Sequence, residues 1–288
     1  MPRSFFEQMI GRCSVEGSKI FVNCNPSNPH HWLKTEYLDK RKEKRILHLH
    51  FTMKDNPSLS QRVRERYERM FTGVFYKRYV LGMWVRAEGV IYDMFSEERH
   101  LVDGDREYDL HYVSCDYGTQ NPMVFGMYGR VAMKREDGSR DPLGGKWIRY
   151  KEYHYEGRTA NRQKTDEEYY ADLLDFIDDT PVQAVIIDPS AASFIVLCRQ
   201  RGHFVVRKAK NAVLTGIRNT ATALTTGQLY FAKGQSKYIV REFHSYVWDE
   251  KAMERGEDAP VKQNDHCLDE CRYFVNTILV KTGTSLLK

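Results

Sequence analysis

The amino-acid sequence predicts an α/β fold, in which helices flank a sheet whose strands run in mixed directions. Three patterns indicate this fold. Strands at 111–117, 123–132 and 147–155 follow one another in hairpin order, with an exposed Gly- and Asp-rich loop between the last two. The nearly continuous apolar run 182–188 is typical of a parallel strand buried on both faces. Helices and strands then alternate toward the C-terminus, which adds further strands to the sheet.

The other elements follow from local signals. The apolar runs 19–24 and 46–51 are predicted to be strands. Ser58 or Ser60 is the expected N-cap of a charged helix, and Thr165 begins another helix with a capping box. The remaining predictions are helices at 5–10, after 191, and at 213–225, 236–247 and 264–280, and strands at 203–208 and 228–232.

Chain length suggests more than one structural region. At 288 residues the chain is long for a single hydrophobic core, and a mixed, polar stretch at 88–109 carries the turn signal Asp103-Gly104-Asp105. We therefore predict an N-terminal region at 1–87, a linker at 88–109 and a C-terminal domain at 110–288. Hydrophobic residues make up 41% of the chain, which argues against intrinsic disorder.

Charge, cysteine spacing and hydropathy narrow the function classes. A net charge of +5 permits nucleic-acid binding but does not require it. None of the six cysteines forms a C-x-x-C pair, which favours a reducing cytoplasm. Cys267 and Cys271 with His266 give one i, i+4 pair without a second pair, which is a weak zinc signal. There is no secretory signal and no apolar run of about eighteen residues, so we expect no membrane partner.

Acidic residues mark three separate elements of the C-terminal domain. Asp116 and Asp188 each end a predicted strand, and Asp269 lies beside the apolar stripe of the last helix. A carboxylate that follows an apolar run costs free energy unless a cation offsets its charge. Asp116 or Asp188 alone is equally well explained as a cap or turn residue. Together, the three aspartates favour a shared metal site, and such a site supports phosphodiester hydrolysis.

Asp265 and His266 extend this candidate site. Residues three and four apart are neighbours on a helix, so His266 and Asp265 can each point the same way as Asp269. Asp265 is equally well explained by its interaction with the helix dipole, and which of the two completes a second metal site stays open. Oxygen ligands select Mg²⁺ or Mn²⁺ over Zn²⁺. Two such ions about 4 Å apart would activate a water and stabilise the leaving oxygen.

Basic residues near the end of the predicted strand 203–208 are candidate contacts for a DNA backbone. Arg207, Lys208 and Lys210 follow an apolar stretch there. Neutralisation of phosphates supplies most of the sequence-independent affinity for DNA. A solvated strand end explains these residues equally well.

The order of the motifs resembles that of the large terminase subunit of tailed bacteriophages. The later motifs resemble its nuclease domain, which has an RNase H-like fold, and the earlier ones resemble the end of its packaging ATPase, a P-loop α/β domain. Residues 79–92 resemble the join between the two halves. The motifs are Asn25-Pro26, His31-Trp32-Leu33-Lys34, Asp55-Asn56-Pro57, Asp116-Tyr117-Gly118, Asp188 after an apolar strand, and Asp265-His266-Cys267-Leu268-Asp269 ahead of Arg272-Tyr273.

The resemblance implies that 1–87 is the C-terminal remnant of an ATPase-like domain and that 110–288 is a nuclease domain. It implies cleavage of concatemeric viral double-stranded DNA during packaging, with two Mg²⁺ or Mn²⁺ ions. The residues that match the family's ligands are Asp116, Asp188 and Asp269, and His266 is similar to a histidine of some members. The implied partners are DNA, the portal protein and the small terminase subunit, in the host cytoplasm and transiently at the prohead portal.

One departure from the family pattern concerns ATP. The sequence contains no G-x-x-x-x-G-K-[ST] run, so we expect no ATP hydrolysis and interpret the chain as the C-terminal part of a longer motor. The alternative is a catalytically idle assembly module that binds portal or small terminase, with acidic residues that serve only structure. A resolvase or transposase is disfavoured by the ATPase-like motifs.

Overall fold

The computed structural model describes residues 2–118 and 121–280, so residues 281–288 of the predicted C-terminal domain lie outside it. Its helices are α1 (Arg3–Arg12), α2 (Gln61–Met70), α3 (Gly73–Tyr79), α4 (Glu97–His100), α5 (Asp166–Ile177), α6 (Ala192–Arg201), α7 (Val213–Thr225), α8 (Lys237–Ser245), α9 (Glu250–Glu254) and α10 (His266–Phe274). Its strands are β1 (Leu101–Val102), β2 (Tyr108–Asp116), β3 (Met123–Val131), β4 (Trp147–Tyr155), β5 (Val182–Ile187), β6 (Val206–Lys208) and β7 (Leu229–Ala232). Shorter helical turns are Lys34–Leu38, Met53–Asp55 and Val275–Leu279.

The seven strands form one sheet in the order β1-β7-β4-β3-β2-β5-β6. The hairpin-ordered strands β2, β3 and β4 pair antiparallel, whereas β5 and β6 extend the sheet in parallel beside β2. At the other end, β7 runs parallel to β4, and β1 runs parallel to β7. The predicted mixed sheet flanked by helices is therefore confirmed.

Helices cover both faces of this sheet. Helix α10 packs against β2 and β3 on one face, where the Phe274 ring stacks on Tyr128 with 3.8 Å between centroids. Helices α5 and α6 cover the other face, and α5 begins with the predicted capping box at Thr165. β5 is buried on both faces, as its continuous apolar sequence predicts. Among the described residues, no helix is both long enough and apolar enough to cross a membrane.

Two predicted strands in the N-terminal region are wrong. Residues 19–24 and 46–51 have no regular structure, and their apolar side chains face solvent: Phe21 is 88% exposed and Leu47 is 82% exposed. A strand needs a neighbouring strand to satisfy its backbone, and no strand of the described sheet pairs with either run. The helix after them is correct, and Ser60 rather than Ser58 is its N-cap.

The stretch 88–109, predicted to be a linker, is packed against the sheet. Ile91, Tyr92 and Phe95 belong to the main hydrophobic core, and the Phe95 ring stacks on Phe243 of α8 at 4.1 Å. The same stretch contains α4 and β1, which the sequence did not indicate. In 88–109 the apolar residues are too few, among many charged ones, to show the period of a helix or a strand. The exact boundaries of the two regions stay a prediction.

A buried ion pair ties the N-terminal region to the rest of the chain. Arg78 of α3 contacts Asp258 at 2.5 Å through one guanidinium nitrogen and 3.1 Å through another, and the two side chains are 5% and 6% exposed. Asn28 donates to the backbone oxygen of Met253 from the same side. The two regions are therefore joined by desolvated polar contacts as well as by apolar packing.

We expect Asp258→Ala to destabilise the protein by about 3–5 kcal/mol, because it leaves the Arg78 charge buried without its partner. The free energy of unfolding from urea denaturation measures this effect. The neighbouring Glu257→Ala is the matched control: Glu257 is exposed and contacts Arg255 at 4.0 Å. Its change should stay within about 0.5 kcal/mol. Equal midpoints for the two variants would contradict the assigned role of the ion pair.

Candidate metal centre at the strand ends

Asp116 and Asp188 lie side by side at one edge of the sheet. β2 and β5 are adjacent parallel strands, and Cys115 is the register partner of Ile187. Asp116 and Asp188 each come directly after these partners, where adjacent strands lie about 4.8 Å apart. The sequence could not fix this adjacency, since it depends on a crossover through α5.

Helix α10 brings Asp269 to the same edge. The Ser114 hydroxyl of β2 donates to the backbone oxygen of Glu270 at 2.8 Å, which fixes the helix against the strand that ends in Asp116. His266 Nδ1 lies 2.9 Å from Asp116 Oδ2. Asp116 and Asp269 are 8% and 9% exposed, so both carboxylates are largely withdrawn from water.

The hydroxyl of Tyr273 contacts Asp188, and the charges of all three aspartates act on it. It donates to Asp188 Oδ2 at 3.2 Å. Burial raises the pKa of Tyr273 strongly, and the negative charges of Asp116, Asp269 and Asp188 raise it further. The negative charges of β2, the end of β5 and α10 therefore act on one buried group.

Electrostatics at Asp116 are set by burial and by its neighbours. Burial raises the pKa of Asp116, the hydrogen bond from His266 opposes this, and the charges of Asp269 and Asp188 raise the pKa further. For His266, burial lowers the pKa, but the hydrogen bond and charge of Asp116 outweigh it, so the net shift is upward. The concentration of negative charge thus favours any cation that enters, including the imidazolium.

Two basic side chains already neutralise part of this charge. Lys262 Nζ lies 3.2 Å from Asp265 Oδ2 and 3.1 Å from Asp269 Oδ2. Arg272 contacts Asp269 Oδ1 at 2.8 Å and donates to the backbone oxygen of Asn211 at 2.7 Å. Arg272 is buried, whereas the Lys262 side chain is 58% exposed. Arg272 is therefore a fixed partner, and Lys262 is one that can be displaced.

Sequence reasoning missed the roles of Lys262, Arg272 and Tyr273. Arg272 follows Asp269 by three positions on a helix, and that spacing was a usable signal for an ion pair. The neighbouring Tyr273 belongs to a family motif, but the sequence alone assigns it no role. Lys262 lies in the loop before α10, where nothing in the sequence gives the direction of a side chain.

The donor set of the acidic site fits a hard divalent cation. Carboxylate oxygens are the ligands that Mg²⁺ and Mn²⁺ prefer. The ligand atoms of Asp116, Asp188 and Asp269 do not all lie within 4.8 Å of one another. Among the described residues, only one other set of three meets that distance. Mg²⁺ usually keeps several waters and takes one or two carboxylates, so an open set suits it. Ligation by these residues, and by Asp265 and His266, stays a prediction.

The candidate DNA contacts lie near the acidic edge. Lys208 pairs in register with Ile187, and Ala209 N–H donates to the backbone oxygen of Ile187 at 2.9 Å. Arg207, Lys208 and Lys210 are all exposed, and the Arg207 guanidinium lies over the Tyr112 ring at 6.0 Å. β6 is the edge strand beside β5, so these residues lie on the strand adjacent to the one that ends before Asp188.

Gly216 of α7 makes room for Arg272, and we expect Gly216→Ala to destabilise the protein by about 1–3 kcal/mol. A Cβ atom there would overlap Arg272 Cγ and lie 2.7 Å from Asn276 Nδ2. The matched control is Gly11→Ala in α1, where nothing lies within 4 Å, and helix propensity should stabilise by up to about 1 kcal/mol. Thermal unfolding in chelator compares them, and shifts of the same sign would contradict this role of Gly216.

Comparison with known proteins places the chain in a family. The family described as "Phage terminase large subunit" matches residues 3–82. The large terminase of a thermophilic bacteriophage, solved in complex with ADP, is 57% identical with a TM-score of 0.90, and the match covers 97% of this chain and 67% of that one. The same terminase solved with ATP-gamma-S is 58% identical with a TM-score of 0.90, over 97% of this chain and 68% of that one. No curated protein sequence matched.

The chain therefore spans about two thirds of the length of that thermophilic phage terminase. Identity above one half across almost the whole of this chain, with the same fold, is far beyond chance resemblance. The chain belongs to the large terminase subunit family of bacteriophages.

Proposed function

We propose that this chain is a metal-dependent endonuclease that cleaves concatemeric viral double-stranded DNA during genome packaging. The observation that carries this proposal is the meeting of three elements at one sheet edge: Asp116 and Asp188 end adjacent parallel strands, and α10 contacts them through His266 and Tyr273. Three carboxylates from three elements at one sheet edge are costly without a cation. Membership of the terminase family supports DNA as the substrate.

Asp116, Asp188 and Asp269 would hold two Mg²⁺ or Mn²⁺ ions, with Asp265 or His266 completing the second site. When bound, such ions activate a water for in-line attack and stabilise the leaving oxygen of the phosphodiester. The chain's own residues set the geometry of the ligands. Tyr273 orients Asp188 by its hydrogen bond, and Arg272 fixes Asp269 by an ion pair.

His266 shares a hydrogen bond with Asp116. Its Nδ1 contacts Asp116 Oδ2, and the upward shift of its pKa favours the charged imidazolium while the carboxylate is ionised. We propose that Lys262 is a displaceable partner of the carboxylates. Because its side chain is largely exposed, it can leave Asp265 and Asp269 when these carboxylates take another cation, and then face a DNA phosphate.

The proposal does not include ATP hydrolysis by this chain alone. Its 288 residues contain no Walker A run, which supplies the backbone cradle for phosphates in P-loop enzymes. We further propose that the chain acts with the portal protein and the small terminase subunit, in the host cytoplasm and transiently at the prohead portal. Family membership supports these partners.

We expect Asp116→Ala to lower plasmid nicking in Mn²⁺ by at least about 100-fold, since even the loss of a residue behind a metal ligand costs about 10–100-fold. Supercoiled plasmid converted to open circles measures the rate. The matched control is Asp137→Ala in the exposed β3–β4 loop, which should retain full activity. Circular dichroism checks that both variants are folded. If Asp116→Ala nicks DNA as fast as the control, the nicking does not depend on Asp116 and the proposed site is wrong.

We also expect Lys208→Ala with Lys210→Ala to reduce the salt dependence of DNA binding. Each lost phosphate contact lowers the slope of log affinity against log salt by about 0.9. Fluorescence anisotropy with a labelled duplex, at several salt concentrations and without divalent metal, measures this slope. Lys134→Ala, an exposed lysine of the distant hairpin, is the control. Identical slopes for control and double variant would show that β6 does not contact DNA.

A further inference from the structure

Three potential metal ligands lie together outside the acidic site. His154 is in β4, Glu242 is in α8 and Cys267 is in the first turn of α10. A ring nitrogen, a carboxylate oxygen and a sulfur from these residues all lie within 4.8 Å of one another. Glu242 and Cys267 are buried and His154 is half-buried, so the cluster is open only on the side of the imidazole.

The geometry of α10 keeps this cluster apart from the acidic site. Successive residues of an α-helix are rotated by about 100°, so Cys267 and Asp269 point about 200° apart. Asp269 faces Lys262 and Arg272, whereas Cys267 faces α8, where Glu242 accepts the N–H of Leu268 at 2.9 Å. The two groups of ligands therefore occupy opposite sides of one helix.

The side chains of the cluster are held in place before any ion enters. The His154 ring stacks on Tyr238 with 3.9 Å between centroids and 4° between planes. The hydrogen bond from Leu268 to Glu242 Oε2 fixes that carboxylate against the first turn of α10. Glu242 is 5% exposed, and none of the ion pairs among the described residues includes it. A buried carboxylate that forms no ion pair is the kind of group that a metal ion stabilises, although the charge of the nearby His266 also acts on Glu242.

We propose that His154, Glu242 and Cys267 form a second metal site, selective for a thiophilic divalent cation such as Zn²⁺. Thiolate and imidazole ligands favour Zn²⁺ over Mg²⁺ and Mn²⁺, which the aspartates suit. Three protein ligands leave a fourth position for water. The site joins β4, α8 and α10 at the turn that carries His266, so its occupancy stabilises the scaffold of the acidic site.

Co²⁺ reports on this site because Co²⁺–thiolate bonds absorb in the near ultraviolet, whereas carboxylates bound to Co²⁺ do not. The full chain carrying Cys13→Ser and Cys24→Ser, which removes the two exposed thiols, is titrated with Co²⁺ in the presence of excess Mg²⁺. We expect a thiolate band that saturates at one equivalent and disappears when Zn²⁺ is added. Adding Asp116→Ala to this background should leave the band unchanged, which separates this test from that of the nuclease proposal.

The decisive comparison is Cys267→Ser against Cys271→Ser in the same background. Cys271 is also buried, lies one turn further along the same side of α10 and is not part of the cluster. We expect Cys267→Ser to lose the band and Cys271→Ser to keep it. A band retained in Cys267→Ser, or absent from the starting protein, overturns the proposal.

A second measurement covers the case in which Cys267→Ser does not fold. His154 is half-buried, so His154→Ala should keep the fold. At a hundredfold excess over its dissociation constant, Zn²⁺ should raise the melting temperature of the starting protein by about 5–10 °C and leave that of His154→Ala unchanged. An equal rise in both proteins would mean that Zn²⁺ binds elsewhere, and the proposal would be wrong.

Discussion

The buried ion pair between Arg149 of β4 and Glu270 of α10 is the contact on which both candidate sites depend. Both side chains are completely buried, with Arg149 Nε 2.9 Å from Glu270 Oε2. Gly126 of the intervening strand makes the contact possible, because a Cβ atom there would overlap Glu270 Oε2 and lie 2.5 Å from Arg149 Nε. Removing one member of such a pair costs about 3–5 kcal/mol, since the other charge stays buried. The pair therefore fixes the position of α10 on the sheet.

The same network extends to α8. Arg149 also contacts Glu152 at 2.7 Å, and Glu152 accepts the N–H groups of Tyr238 and Ile239 in the first turn of that helix. A carboxylate at a helix N-terminus is favourable because the helix dipole is positive there. One guanidinium thus links β4, α8 and α10, the elements that supply His154, Glu242 and Cys267. This network requires a glycine at position 126 and the charges of Arg149, Glu152 and Glu270.

The sequence predicted the parts of the molecule that depend on local pattern. Asp116 and Asp188 follow apolar strands, and strand ends are readable from a single chain. Whether β2 and β5 are neighbours depends on a crossover that the pattern does not show. The family resemblance supports the expectation that Asp116 and Asp188 share one site. The exposed runs 19–24 and 46–51 show the limit of periodicity. Alternating apolar residues favour a strand, but only a partner strand makes one.

The sulfur ligand illustrates the same limit. Sequence spacing pointed to Cys267 with Cys271, because residues four apart share a side of a helix. In the structure both thiols are buried and burial raises the pKa of each, so what separates them is position: Cys271 lies near Tyr128 and Glu270, outside the cluster. The neighbours of Cys267 come from positions 154 and 242, and no local rule connects residues so distant in the chain.

In these proposals one helix would serve two chemically different cations, because its period separates their candidate ligands. Asp265 and Asp269 lie on one side of α10, and the sulfur of Cys267 lies about 200° from Asp269. A hard cation that enters among the aspartates meets no thiolate, and a thiophilic cation beside Cys267 meets one carboxylate and one imidazole. His266 lies between the two sides and is engaged by Asp116 at 2.9 Å. Movement of α10 would therefore disturb both sites together, which is why a buried ion pair at Glu270 controls each of them.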